Sequence, residues 1–334
     1  MSPDPLLAIL RGAHVAALIS AFGTLVFVVL SASGGQPRLT KTLRRLARGS
    51  LALALALGVA WFVLVARAMA GAASLAETFA ALGLVAGETQ FGGWLLARLG
   101  LLIAASLLCS RMPRLAALPT GAALALQPEL AHAGAIGGWV GAWLTGSEAV
   151  HVLAAGAWLG GLMPLAIAIA VLPPATAAAL CRRFSALALA AVIILAGSAA
   201  VQGSLLFGGW SGLLTTTYGH VALAKLALFA CTVLLGALNR FRLVRRIGTE
   251  PRARQQMSVA LATETGLGLA IVLAAAWLAS LAPGIDAHPA APAALIPILA
   301  AAGTVAALCI AACAGHVGRH PRFSGLRFDR GTMT

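Results

Sequence analysis

Glu148 and His151 open the stretch SEAVHVLAAGAWLGGLMPLA at residues 147–166, which otherwise runs apolar. A carboxylate and an imidazole three residues apart share one face of a helix. Imidazole suits copper, zinc, iron and nickel, and copper(II) is held most tightly among the divalent first-row ions. The pattern has an earlier copy. ILRGAHVAALISAFGTLVFV at residues 9–28 aligns without gaps, so that His14 matches His151. Nine residues after each histidine stands a glycine, Gly23 and Gly160. Three residues before each stands a charge, Arg11 in one copy and Glu148 in the other. Opposite charges at matched positions could pair between the copies and hold both imidazoles on one ligand.

The elements that must carry these residues are membrane helices. The chain is 60% hydrophobic and only 10% charged, whereas soluble domains carry about 25% charged residues. This predicts an all-α polytopic membrane protein. Nine apolar runs approach the roughly 20 residues needed to cross about 30 Å of hydrocarbon. They are 6–31, 50–71, 91–110, 114–132, 148–171, 184–206, 218–239, 257–281 and 291–313, and Pro119 and Pro128 interrupt the fourth. No basic n-region of a signal peptide precedes the first run. The five cysteines form no CxxC pair and suggest no disulfide framework.

A net charge of +14 would suit nucleic acid, but the positions of the charges exclude it. Every basic residue except Arg11, Arg67, Arg98 and Lys225 falls in alternate loops or in the tail. Basic loops stay in the cytoplasm. The N-terminus is therefore expected outside and the C-terminus inside, in a bacterial inner membrane. With that orientation His14, His132, His151, His220 and His288 fall at outer helix ends, and only His316 and His320 lie inside. Cys109, Cys181, Cys309 and Cys313 lie toward the inner side. An outer site would use imidazole and carboxylate rather than thiolate.

The repeat continues beyond the histidines. ETQFGGWLLARL from Glu88 aligns with TTTYGHVALAKL from Thr215, which matches Arg98 to Lys225. Arg44–Arg45 and Arg182–Arg183 correspond in order. Two parallel four-helix repeats are expected, 1–134 and 135–282, followed by a ninth helix and basic tail at 283–334. An even number of spans separates the copies, so the pseudo-axis lies along the membrane normal. Arg98 and Lys225 each sit about two turns inside a span, where a basic side chain costs about 2.5 kcal/mol or more. Buried pairing is expected for both, with Glu129, Glu148 or backbone carbonyls as partners. Glu264 near the inner end of its span is a further ionisable group, for loop arginines or an exit path. Gly156 and Gly160 make a GxxxG spacing suited to close helix packing, with Trp158 between them as a packing element or pore wall.

HVLAAGAWLGGL, RRFSALAL, TTYGHVALAKLAL and LNRFR together resemble the CopD copper-resistance family of bacterial inner-membrane proteins over residues 148–282, with AHAG at 131–134 and TQFGGWLLARL adding to the match. The resemblance implies a multi-span protein that moves copper across the inner membrane, often with a small periplasmic copper-binding protein of the CopC type. It points to His151 and His132 as ligands, and the repeat adds His14. Met69 and Met163 are the methionines well inside spans, so no thioether ladder for copper(I) is visible and the oxidation state stays open. A path past Met163 and Trp158 is the expected route, with Glu148 adding charge at the mouth.

Two other readings use the same residues. A haem-b carrier would ligate the iron through two facing histidines, with Arg98 or Lys225 on the propionates. A non-transporting sensor or assembly partner would use the basic tail on lipids or a cytoplasmic protein. No nucleophile–base arrangement, phosphate loop or HExxH motif is present, so no enzyme is expected.

Overall fold

The computed structural model describes residues 4–31, 36–131, 137–244, 246–247 and 250–286. The expected ninth helix at 291–313, with His288, His316 and His320, lies outside them. Ten α-helices follow in order: α1 (Pro5–Leu30), α2 (Pro37–Ala70), α3 (Leu75–Glu88), α4 (Gln90–Arg111), α5 (Ala117–Ala125), α6 (Gly138–Val171), α7 (Pro174–Leu206), α8 (Gly209–Thr215), α9 (Thr217–Arg242) and α10 (Pro251–Leu278). No strand occurs among the described residues. Seven helices, α1, α2, α4, α6, α7, α9 and α10, are long and apolar enough to cross a membrane. The chain is a multi-pass, all-α membrane protein.

Three helices outrun the hydrocarbon. α2, α6 and α7 have 34, 34 and 33 residues, or about 50 Å at 1.5 Å per residue. α2 starts inside the basic segment, well before the expected residue 50. Its buried Leu39, Leu43, Ala47, Leu51 and Ala54 recur at helical spacing, so one face packs while the arginines stay on the other. Basic side chains also tie off helix ends there. Arg44 Nη1 donates to Ser110 O at 3.4 Å, and Arg254 Nη2 donates to Ile169 O and, at 3.0 Å, to Leu172 O. Cations at helix C-termini satisfy the last carbonyls and oppose the dipole.

Two features depart from the expected spans. α3 occupies a stretch read as loop. Its start is a capping box, with Ser74 Oγ accepting from Glu77 N at 3.2 Å, and backbone N–H groups of Ala73 and Ser74 hold the exposed Glu77 carboxyl below its usual range. The fourth expected span, 114–132, is not one long helix. α5 has nine residues, and a 3-10 turn at Pro128–Leu130 follows it. Pro128 lacks the N–H that would continue the ladder.

Four hydrophobic clusters occur among the described residues, and the two largest fill most of the bundle. One joins α1, α2, α4 and α5 around Leu18, Leu51, Leu102 and Leu124. The other centres on α6 and α7 around Trp158, Leu162 and Phe184. α1 and α6 pack directly against each other where the matched glycines meet. A methyl on Gly23 would land on the Gly160 backbone, and one on Gly160 on the Ile19 carbonyl and Gly23 Cα. Only glycine permits this approach. α5 packs on α4, α1 and α6, and α10 packs on α9, α6 and α1, the same set with the matched helices exchanged. The starts of α4 and α9 also correspond. Thr89 Oγ1 accepts from Gly92 N and Thr216 Oγ1 from Gly219 N, both at 3.0 Å. A side chain on Gly92 would strike the Val85 carbonyl, and one on Gly219 the Leu213 carbonyl.

Candidate functional site

Arg11, His14, Arg98, Glu148, His151 and Lys225 gather toward the end of the bundle opposite the basic loops, and Glu264 lies toward the other end. His14 on α1 is fully buried. Its Nδ1 lies 2.7 Å from Ala54 O on α2. A carbonyl only accepts, so Nδ1 carries the hydrogen. Nε2 is buried with no hydrogen-bond partner, and in the neutral ring it holds the lone pair. Gly58 makes the room: a Cβ there would sit 2.9 Å from His14 Cε1. The Trp61 ring closes the site at 5.9 Å between centroids.

His151 on α6 is held in a similar way by a different helix. Its Nδ1 lies 2.9 Å from Ser198 Oγ on α7. That hydroxyl donates to Ile194 O at 2.7 Å, so it accepts from Nδ1–H. Nε2 again keeps its lone pair. Fixing one ring nitrogen through a hydrogen bond while the other faces a ligand is the usual support for a metal-binding histidine. The two imidazoles are anchored by different helices, His14 by α2 and His151 by α7. No group of three or more His, Cys, Asp and Glu side chains that could hold a metal occurs among the described residues. His132 and His288 lie outside them. His220 on α9 donates from Nε2 to Leu214 O at 2.8 Å, which ties α9 to α8.

Charges surround the histidines. Arg98 on α4 is 0% exposed. Its Nη1 donates to Gln127 Oε1 at 2.9 Å, and its Nε and Nη2 have no partner. Gln127 stands just before the 3-10 turn, so the broken fourth segment supplies the partner that the sequence suggested as Glu129, Glu148 or a carbonyl. Arg11 reaches Ala279 O at 3.5 Å and lies 5.7 Å from the Trp61 ring centroid. Glu148 interacts electrostatically with Arg11, Lys225 and Arg98. A cavity of about 140 Å³ between the halves is lined by Arg11, Gln127, Glu148, His151, Gln202 and Lys225, among others. It shares His151, Gln202 and Lys225 with an apolar cavity of about 410 Å³ inside the second half.

Trp158 forms a wall of that second cavity, with its ring edge-on to Phe229 at 6.0 Å. On its other side lies a cavity of about 310 Å³ containing Cys181, Met257 and Glu264. Glu264 Oε1 accepts from Asn239 Nδ2 at 2.6 Å, so its partner is an amide rather than a loop arginine. Met69 and Met163 are 55% and 45% exposed and face the outside of the bundle. Gln127, Ser198, Gln202 and Gly58 belong to the site although the sequence did not single them out.

The comparisons with known proteins cover both halves. Residues 1–142 match the family described as Copper resistance protein D-like, N-terminal domain, and residues 178–278 match Copper resistance protein D. Copper resistance protein D of Pseudomonas syringae pv. tomato is 29% identical over 307 residues, which covers 85% of this chain and 99% of that protein. No solved structure matches. The motifs of the second half, with AHAG and TQFGGWLLARL in the first, are thus joined by family matches along both parts of the chain, and the chain belongs to the copper resistance protein D family.

Proposed function

We propose that this member of a copper-resistance family binds copper and carries it across the bacterial inner membrane. The ion is captured at the outer end by His14 and His151, with His132 and Glu148 as further ligand candidates. One observation carries the reading. Two matched imidazoles in the spans each hold Nδ1 against a fixed oxygen, which leaves Nε2 as the lone-pair nitrogen of the neutral ring, and that of His14 is buried without a partner. Copper accepts such nitrogens readily.

The route passes through the second half rather than along Met69 and Met163. His151 opens on the apolar cavity, Trp158 separates it from the inner cavity, and Glu264, Cys181 and Met257 receive the ion there. A thiol, a thioether and a carboxylate suit copper in either oxidation state. A periplasmic carrier of the CopC type delivers the ion at the outer face. Residues 1–134 and 135–282 act as two copies of one unit about the α1–α6 contact. No catalytic step is assigned.

The test is copper accumulation in cells that carry His14→Ala with His151→Ala. Accumulation falls to the level of a deletion strain; unchanged accumulation overturns the proposal. Metal analysis and an optical spectrum of the purified protein separate the other readings. A Soret band would replace copper with haem. Copper bound by protein whose vesicles never accumulate it would leave a sensor or assembly partner.

A further inference from the structure

The polar cavity holds more positive charge than its own carboxylate can balance. Arg11 and Lys225 line it, and Arg98 stands behind Gln127 on its wall. Glu148 is the acidic side chain among the described lining residues. It interacts with all three cations and cannot neutralise them. Buried charges are tolerated when paired and hydrogen-bonded. Here the donors stand open. Arg11 Nη2 and Gln202 Nε2, whose side chains line the cavity, are buried without a partner, as are Arg98 Nε and Nη2. Guanidinium and amide N–H groups have nothing to accept with, so what completes them must bring acceptor atoms.

We infer that this cavity binds an oxyanion of the phosphate class. Its volume of about 140 Å³ is several times the roughly 30 Å³ share of one water, which leaves room for one such group. Guanidinium pairs with phosphate through strong, charge-assisted hydrogen bonds. Tyr218 also lines the cavity and adds a hydroxyl that can donate. The site lies toward the end of the bundle, so a free ion and a lipid headgroup reach it from the same side. The inference uses no metal and does not depend on copper being the cargo.

The experiment follows thermal unfolding of the full-length purified protein, freed of metal with a chelator. One arm compares inorganic phosphate with chloride at equal ionic strength in detergent. The other compares nanodiscs of phosphatidylglycerol with nanodiscs of phosphatidylcholine. Phosphate raises Tm in a dose-dependent way if the ligand is a free ion; phosphatidylglycerol alone raises it if the ligand is a headgroup. Basic loops attract anionic lipid in every variant, so the variants decide. Lys225→Met weakens the effect about tenfold and Glu148→Gln strengthens it about tenfold, the size of one charge-assisted contact. Stabilisation in neither arm overturns the inference, and so does stabilisation that Glu148→Gln fails to strengthen. Should Lys225→Met not fold, the near-isosteric Glu148→Gln still decides between the two outcomes. Copper content is measured separately, so failure of the transport reading leaves this result intact.

Discussion

His151 shows how a proposed ligand is held by a neighbour that the sequence does not advertise. Its position was legible because an ionisable ring in an apolar run is conspicuous, and the same holds for His14, Arg98, Lys225 and Glu148. Their partners were not legible. Ala54, Gln127 and Ser198 lie 40, 29 and 47 residues away from the groups they hold, and nothing in a glutamine or serine announces such a contact. These partners give the residue-scale predictions. Ser198→Ala removes the acceptor for His151 Nδ1–H and is expected to weaken copper binding about 10- to 100-fold, as loss of an outer-shell partner does. Ser198→Thr keeps the hydroxyl and should retain most of the affinity. Titration of copper into the purified variants checks both. Gln127→Leu leaves Arg98 buried with no side-chain acceptor. It should cost about 2 kcal/mol, the scale of a hydrogen bond to a charged group, read as a lower unfolding midpoint.

At the level of helices, hydropathy found the long spans and missed what lies between them. α3 escaped notice although SLAE at 74–77 has the spacing of a capping box, because its flanks carry no strong apolar period. The fourth span failed for the opposite reason. Its composition is apolar enough to cross, but prolines set its geometry. The matched N-caps offer a direct test. Thr89→Ala and Thr216→Ala each remove a hydroxyl that accepts from the first turn, and each should cost about 1 kcal/mol in thermal or denaturant unfolding. The glycine contact is less forgiving. Gly23→Val or Gly160→Val should abolish the folded, monodisperse species on size-exclusion chromatography, since backbone would have to move. Gly49→Ala, with nothing within 4 Å of its would-be Cβ, should behave as wild type or gain slightly.

Over the whole molecule, charge asymmetry gives the orientation proposed for the bundle its physical basis. The basic loops and the polar cavity lie at opposite ends, so an inner-membrane orientation with the loops in the cytoplasm puts the cavity on the periplasmic side. Leu75 at the start of α3 is 74% exposed and lies at the cavity end. In a background without native cysteines, Leu75→Cys should react with a membrane-impermeant maleimide on intact spheroplasts, and Thr42→Cys only after lysis; the reverse pattern would invert the orientation. The meeting of Gly23 with Gly160 has a mechanical consequence at this scale. Main chain rests on main chain there, with no cushion of side chains to compress or slide. A change in the angle between α1 and α6 that kept this contact would turn about it as about a pivot. The imidazoles stand nine residues away along each helix, so a rotation about that contact would displace them more than the glycines themselves.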